Sequence, residues 1–458
     1  MDLKRIGLYA AILAGVVVPL YALDVGGWTL LTNDEARFPA MARDIVARGH
    51  WLAPAIAGTP MLNKPPLHAW LIALASLPGG AVTPRTAALP SILGALGIVL
   101  GSAWLGARLF TPPAGLTAGL LAATTVGLFS LAHVPLPDTT LTLAITGAMC
   151  AFVLAELEGR RGALVVFYGA TGLAFLAKGP VGLIPLAVGL VYELKSHGRS
   201  GVRRLLSLPG LLLLGLLTVP WLVLALHTGG HGFVRDVLDQ DFRSTYFGSG
   251  ARQWQRVAHP VKLAVEHLVP WVVLVPLAVW AALREPDRER ARRLQLPIIW
   301  AATAFLLIAI SERQRWRYYL PLVPPAALLV AAWFHGLRVR RATAMVATAC
   351  LALVVVALAV GGRYEAQKRQ RLTAVHDVVQ ELKSVPAPAF AIDSPDIVFD
   401  YYADRPVIPL TEYGSFERAP APAYLIASET VASRAPASLD RLAIEARVNG
   451  KKFVLLKK

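Results

Sequence analysis

Two acidic sites lie beside apolar stretches, where an ionised side chain is energetically expensive. Asp34 and Glu35 open the polar stretch Thr32–Leu67, and Asp138 begins an apolar run in the sequence LPDTTLTL. Carboxylates placed in this way can take a proton from a nucleophile or stabilise positive charge that develops at a sugar carbon. Asp138 on its own fits a helix N-cap better than a catalytic group, since two threonines follow it.

Basic residues interrupt apolar or aromatic stretches at several places downstream. They are Lys64, Lys178, Arg243 and Arg317, the last directly before Tyr318. Several cations and tyrosines converging at one membrane face are what a lipid phosphate or pyrophosphate would need. Lys178 fits a snorkelling lysine equally well, and Arg243 also fits a solvated loop charge.

The sequence does not contain the residue patterns of a nucleotide-binding loop or of a metal-binding motif. No glycine-rich phosphate loop is present, so nucleotide binding has no support, and the histidines do not follow the spacing of a metal motif such as HExxH. We therefore assign no metal ligands.

The composition identifies the environment in which these residues act. The chain has 458 residues, is 55% hydrophobic and has a mean hydropathy of +0.54, which is typical of a polytopic α-helical membrane protein. Its net charge of +16 is explained by basic cytoplasmic loops and anionic lipid, which argues against nucleic-acid binding.

The apolar runs predict about eleven spans, with the N-terminus in the cytoplasm and the C-terminus outside. Nearly every basic loop then lies on the cytoplasmic side, as the positive-inside rule requires. This count treats Leu67–Leu77 as an interfacial or re-entrant helix. The predicted spans are Ile6–Trp28, Thr86–Ala107, Leu116–His133, Thr139–Leu157, Ala163–Ala177, Val181–Leu194, Leu205–Leu226, Val261–Leu283, Leu296–Ile310, Tyr318–His335 and Ala342–Val360.

The topology predicts two domains. Residues 1–362 form the membrane module, with outer loops at 32–85 and 227–260, and residues 363–458 form a small extracytoplasmic α/β domain. In the second domain a charged helix, Arg363–Lys383, precedes short strand-like runs separated by Pro, Asp and Gly. These runs are Ala389–Ile392, Val407–Leu410, Tyr424–Ile426 and Lys452–Leu456.

Five motifs occur in order between Leu3 and His335: NDEARFPAMARDIV, NKPPLHAW, LPDTTLTL, LAKGPVGLIPL and RWRYYLPLVPP. Together they resemble the lipid-linked glycosyltransferases of the GT-C fold. The likeness is to the branch of the lipid A aminoarabinose transferase and the dolichyl-phosphate-mannose protein mannosyltransferases. The resemblance implies an outer-face active site that takes a sugar from a polyprenyl-phosphate carrier and inverts the anomeric centre.

The resemblance also implies roles for individual residues. Asp34 matches the catalytic or acceptor-positioning carboxylate of the first loop, and Asp138 matches the acidic residue of the second outer loop. Lys64, Arg243 and Tyr318 match the groups that contact the carrier phosphate. We add Glu35 to the catalytic candidates, and Arg317 and Lys178 to the phosphate-binding ones.

The chain departs from the lipid A-modifying branch at two places related to a proposed zinc site. It has Asn63 where that branch usually has Glu, and it reads Asp239-Gln240-Asp241 where a Glu-His pair is usual. No cofactor is assigned, and a divalent metal stays open.

These observations predict an inner-membrane glycosyltransferase. Its predicted partners are a polyprenyl-phosphate-sugar donor, membrane lipids and an envelope acceptor, which is a lipid A-like glycolipid, a glycan or a protein. The alternative is a transporter or flippase of lipid-linked sugars, which would place its charges along a path through the bundle.

Overall fold

The computed structural model describes residues 3–21, 30–235, 253–311, 314–337, 342–436, 439–448 and 451–458. The chain divides into two compact units. The first comprises Met1–Leu23, Leu62–His68 and Pro90–Leu358; the second comprises Asp24–Met61, Ala69–Leu89 and Ala359–Lys458. The predicted domain boundary at residue 362 stays a prediction.

Nineteen α-helices are described. They are α1 (Leu3–Tyr21), α2 (Asn33–Arg48), α3 (Leu67–Ser76), α4 (Pro84–Leu109), α5 (Pro112–Ala123), α6 (Val126–Ala132), α7 (Pro137–Leu157), α8 (Ala163–Lys178), α9 (Ile184–His197), α10 (Arg199–Leu205), α11 (Leu208–Arg235), α12 (Gln253–Leu268), α13 (Val275–Leu283), α14 (Arg288–Ala309), α15 (Val323–Gly336), α16 (Ala342–Ser384), α17 (Asp396–Ala403), α18 (Tyr413–Glu417) and α19 (Glu429–Ala432).

The described strands are few and short. They are β1 (Ala55–Ile56), β2 (Thr59–Pro60), β3 (Ala389–Ile392), β4 (Val407–Pro409), β5 (Tyr424–Ser428), β6 (Asp440–Val448) and β7 (Lys451–Lys457).

The first unit contains the helices that can cross a membrane. Among the described residues six helical segments are long and apolar enough, and eight are if each of two bent helix pairs counts as one span. The protein is therefore an integral membrane protein. The predicted number of about eleven spans stays a prediction.

Helices α8 and α9 form a hairpin although the helical stretch is nearly continuous. Two glycines show how closely the two helices approach. A Cβ added at Gly182, in the 3-10 turn Gly179–Leu183, would meet the backbone of Ala174. A Cβ added at Gly189 would lie 3.5 Å from Phe167 Cζ. The chain thus turns back directly after Lys178.

Helix α3 is as short as expected for the predicted interfacial or re-entrant helix at Leu67–Leu77. Its 10 residues rise about 15 Å, only half of the roughly 30 Å of a bilayer core. It cannot cross the membrane alone.

The second unit contains a five-stranded sheet with the order β4-β3-β5-β7-β6. Strand β3 pairs in parallel with β4 and β5, while β7 pairs antiparallel with β5 and β6. The sequence predicted four of these strands within two residues at each end and missed β6. Helix α2 shares the core of this unit, because Met41 and Ile45 belong to the same buried cluster as Phe399 and Ile426.

Candidate active site

A buried carboxylate and two cations meet in the first unit. Asp138 is 1% exposed, its Oδ1 accepts a hydrogen bond from Lys178 Nζ, and its Oδ2 lies 3.5 Å from Arg317 Nε. Lys178 Nζ also stands 3.9 Å from the centre of the Tyr318 ring, and Arg317 Cζ stands 5.7 Å from it. We call Asp138, Lys178, Arg317 and Tyr318 the Asp138 cluster.

The start of α7 positions Asp138. Leu136 is extended and Pro137 occupies the first helical position, which places Asp138 in the first turn, where the helix dipole favours a carboxylate. Ser91 Oγ donates to Val134 O at 2.7 Å and so fixes the approach to this turn. The N-cap position of α7 is Leu136 and not Asp138, whose side chain instead contacts Lys178 and Arg317.

The hairpin turn positions Lys178 at the carboxyl end of α8, where the helix dipole favours a cation. Gly179 ends this helix with φ 72° and ψ −143°, a conformation that is essentially restricted to glycine. The Lys-Gly sequence thus combines a terminal cation with the residue that lets the chain turn.

Lys64 lies near the same cluster. A Cβ added at Gly179 would lie 3.9 Å from Pro65 Cγ, and Lys64 is close enough to act electrostatically on Lys178. With Lys64 included, three cations lie near one carboxylate. Cations concentrated in this way favour a bound anion.

Asp34 and Glu35 lie in the second unit, in the first turn of α2. Glu35 Oε2 accepts from the backbone N–H of Leu31 and Thr32, while Thr32 Oγ1 accepts from Glu35 N, which together make a capping box. This gives Glu35 a structural role. Asp34 Oδ1 accepts from Arg37 Nη1 at 2.9 Å and is about one-fifth exposed, so it stays accessible.

Helix α17 holds α2 within the second unit, which the sequence did not reveal. Arg43 forms ion pairs with Asp400 and Asp404, and Asn33 Nδ2 donates to Asp396 Oδ1 at 2.7 Å. Burial raises the pKa of Asp400, and Arg43 opposes that shift. No signal in the sequence links groups that lie more than 350 residues apart.

Arg243, the remaining predicted phosphate ligand, lies outside the described residues, as do residues 239–241.

Within the described part of the chain, one group of three side chains has the spacing of a metal site: Glu156, Glu193 and His197. Glu156 lies about 27 Å along α7 from Asp138, at the other end of that helix. Its oxygens are 3.4 Å from both Arg204 and Arg292. Two guanidinium groups already neutralise the carboxylates and would repel a divalent cation, so this group does not fit a metal site.

Comparison with known proteins adds sequence relatives. Residues 63–224 match the family model described as dolichyl-phosphate-mannose-protein mannosyltransferase. An undecaprenyl phosphate-alpha-4-amino-4-deoxy-L-arabinose arabinosyl transferase of Edwardsiella ictaluri is 27% identical over 337 residues, covering 71% of this chain and 59% of that protein. The protein of the same description from Pectobacterium carotovorum is 24% identical, covering 74% and 61%. The chain thus spans about 60% of the length of these curated relatives.

Solved structures match over nearly the whole chain. ArnT from Cupriavidus metallidurans bound to undecaprenyl phosphate superposes with a TM-score of 0.78 at 19% identity, covering 100% of this chain and 98% of that one. The chain is related to the GT-C lipid-linked glycosyltransferases. The Archaeoglobus fulgidus oligosaccharyltransferase, in its complex with Zn and sulfate, gives a TM-score of 0.63 at 15% identity and covers 92% of this chain and 68% of that one. The predicted GT-C fold and the predicted resemblance are confirmed.

Proposed function

We propose that the protein transfers a sugar from a polyprenyl-phosphate carrier, of the undecaprenyl-phosphate type, to an acceptor in the cell envelope. The observation that carries the proposal is the buried Asp138 cluster, in which Lys178 and Arg317 meet one carboxylate, with Lys64 nearby. The sequence relatives support it, since their names specify an undecaprenyl phosphate sugar donor.

The charge of the cluster suits the change that the reaction makes at the carrier. The donor is a phosphodiester with one negative charge, and cleavage of its sugar–oxygen bond leaves a phosphomonoester with close to two at neutral pH. Lys64, Lys178 and Arg317 would place three cations beside this phosphate. They would therefore bind the departing phosphate more tightly than the donor, which is how binding lowers a reaction barrier.

The bonds change in a single displacement. The acceptor oxygen forms a bond to the anomeric carbon from the face opposite the phosphate, which inverts that centre. The electron pair of the broken carbon–oxygen bond goes to the carrier phosphate, and the proton of the acceptor hydroxyl goes to Asp34. A phosphate acceptor would need only positioning by Asp34.

Asp138 contributes by orientation. Its carboxylate directs Lys178 and Arg317 toward one another, and the Tyr318 ring offers its face to the Lys178 ammonium. A prearranged pair of cations loses less side-chain entropy when the phosphate binds. Arg243 completes the proposed set of phosphate ligands.

The proposed orientation puts the Asp138 cluster on the outer face. Glu156, at the opposite end of α7, interacts with Arg204 of α10 and Arg292 of α14, and Arg161, just before α8, donates to the backbone carbonyl of Arg204. Basic residues concentrate on the cytoplasmic side. The N-terminus is then cytoplasmic and the sheet of the second unit is extracytoplasmic.

The test is a transfer assay in membranes with a radiolabelled undecaprenyl-phosphate sugar, comparing wild type with Asp34→Asn and Lys64→Ala. We expect Asp34→Asn to lose labelled product and to keep carrier binding, and Lys64→Ala to weaken carrier binding itself. Wild-type protein that moves the carrier across the bilayer and transfers nothing to lipid, glycan or protein would refute the proposal in favour of a flippase.

A further inference from the structure

The second unit contains a cleft of about 400 Å³. It opens at the carboxyl ends of the parallel strands β3 and β4, where Asp393, Ser394 and Leu410 lie, and the start of β7 and the first turn of α2 complete its wall. The chain leaves β3 toward β4 on one side and returns to β5 on the other. Ligands of open α/β sheets bind at such a reversal point.

The polar groups of the cleft are mixed in kind. Thr32, Asn33, Asp393, Ser394 and Lys451 contribute hydroxyl, amide, carboxylate and ammonium groups. Within the described residues, Ser394 Oγ is buried and has no hydrogen-bond partner. Ser394 therefore closes the wall from behind, and its hydroxyl is not counted among the groups that a ligand reaches.

The charge of the cleft selects among ligand classes. Lys451 Nζ lies 3.3 Å from Asp393 Oδ1, so the one ammonium group of the wall is already balanced by the one carboxylate among the described lining residues. A phosphate would meet that carboxylate and find no excess cation. A neutral polyol can use the carboxylate as an acceptor and the ammonium group as a donor, while the amide of Asn33 is already held by Asp396 and the backbone of Ile397.

The apolar part of the cleft wall also suits a neutral polyol such as a sugar. Pro395, Pro409, Leu410 and Phe453 line the cleft beside its polar groups. A sugar ring has hydroxyl groups at its edge and C–H groups on its faces, so it can contact both kinds of wall. The volume of the cleft lies within the range of about 300–1,000 Å³ that is usual for small-ligand sites.

We propose that this cleft binds a sugar ring of the acceptor. Asn33, which lines the cleft, directly precedes Asp34 at the start of α2. A sugar held in the cleft is therefore next to the turn that carries the proposed acceptor-positioning carboxylate. The inference rests on the proposed function and deepens it, because it assigns a glycolipid or glycan acceptor rather than a protein.

The test uses two variants of the full-length protein in nanodiscs, each with a matched control. Asp393→Gly removes the carboxylate and keeps the backbone, since φ is 47° at this position. Its control is Ala57→Gly, which places a glycine at a similar φ of 50° between β1 and β2, away from the cleft. Lys451→Ala removes the ammonium group. Its control is Lys452→Ala, on the opposite face of β7, which pairs with Glu429.

The first readout is transfer to detergent-dispersed lipid A. We expect each cleft variant to raise the KM for lipid A about tenfold, the effect of losing one good hydrogen bond, with kcat and the KM for the donor within twofold of wild type. Both controls should match wild type. Cleft variants that match their controls, or transfer to a Ser/Thr peptide instead of lipid A, would overturn the inference.

The second readout does not depend on transfer. Saturation-transfer difference NMR with an unphosphorylated glucosamine disaccharide should give a signal with wild type and the controls and lose it in Asp393→Gly and Lys451→Ala. An equal signal in all five proteins would contradict the sugar cleft even if transfer activity is present. If the disaccharide binds as expected and wild type transfers nothing, the proposed function fails and the cleft remains a sugar site.

Discussion

Lys178→Met is the substitution that separates a phosphate-binding role from a structural one. It removes an ammonium group whose Nζ contacts Asp138 and the Tyr318 ring, while methionine keeps most of the chain length. A hydrogen bond to a charged group contributes about 1.5–3 kcal/mol. At about 1.4 kcal/mol per tenfold, the Kd for undecaprenyl phosphate should rise roughly 10- to 100-fold.

The same substitution should also destabilise the protein, because it takes the nearest cation from a carboxylate that is only 2% exposed. Removing one partner of a buried ion pair costs about 3–5 kcal/mol. Arg317, with Nε at 3.5 Å from the other oxygen, remains and should hold the cost near the lower limit. Asp138→Asn together with Lys178→Met should recover part of the lost thermal stability, because the carboxylate that lost its nearest cation is removed, while Arg317 loses its contact with Asp138.

The assay is titration of each purified variant with undecaprenyl phosphate, alongside its Tm. Lys178→Met should bind weakly and melt early, and the double variant should melt between Lys178→Met and wild type and still bind weakly. Lys195→Met, an exposed lysine of the same hairpin at its other end, should change neither quantity. Wild-type affinity in Lys178→Met, or affinity restored in the double variant, would refute direct binding of the phosphate by Lys178.

Three further predictions concern other parts of the molecule. Tyr318→Leu should raise the Kd for undecaprenyl phosphate about 2- to 5-fold, because it removes the ring that contacts the Lys178 ammonium group. Tyr318→Phe keeps the ring and should leave the Kd within twofold of wild type. Equal effects of the two substitutions would contradict a cation–π role for Tyr318. Glu156→Gln should lower the Tm, since it removes the buried counter-charge of two arginines. The Kd should stay unchanged, because Glu156 lies at the far end of α7 from Asp138; a large change in Kd would contradict this prediction. Burial raises the pKa of Asp396, and a hydrogen bond from Asn33 partly opposes that shift. Just above about pH 4, Asp396 is therefore protonated more often in the native state than in the unfolded state. Stability of α17, measured by amide hydrogen exchange, should therefore fall as pH rises through that window. Burial also raises the pKa of Asp400 on the same helix, so Asp396→Asn should reduce the slope and leave the part that Asp400 contributes; a rise with pH would contradict the sign.

Local sequence was enough to predict several elements. Strand β3 spans the predicted Ala389–Ile392, and β4 and β7 match their predicted ranges within one residue at each end. Strand β6, Asp440–Val448, was missed because charged residues interrupt its apolar pattern, which an edge strand tolerates. The last predicted span and the charged helix after it are one helix, α16, since two adjacent glycines do not break it.

The sequence predicted which residues form the candidate site, but it did not predict which of them contact one another. The sequence identified Asp138, Lys178, Arg317 and Tyr318 separately, each with a plausible structural explanation. Only tertiary structure brings together residues that lie 40 and 179 positions from Asp138 along the chain. The contacts of α2 with α17 depend on the same kind of long-range packing, which no local pattern encodes.

The most direct test of the central claim is a cryo-EM structure of the protein in nanodiscs with undecaprenyl phosphate. The account predicts that the phosphate lies within hydrogen-bonding distance of Lys178 or Arg317, with Lys64 beside it and Asp138 still behind the two cations. A phosphate bound away from these cations, while they remain paired only with Asp138, would contradict it.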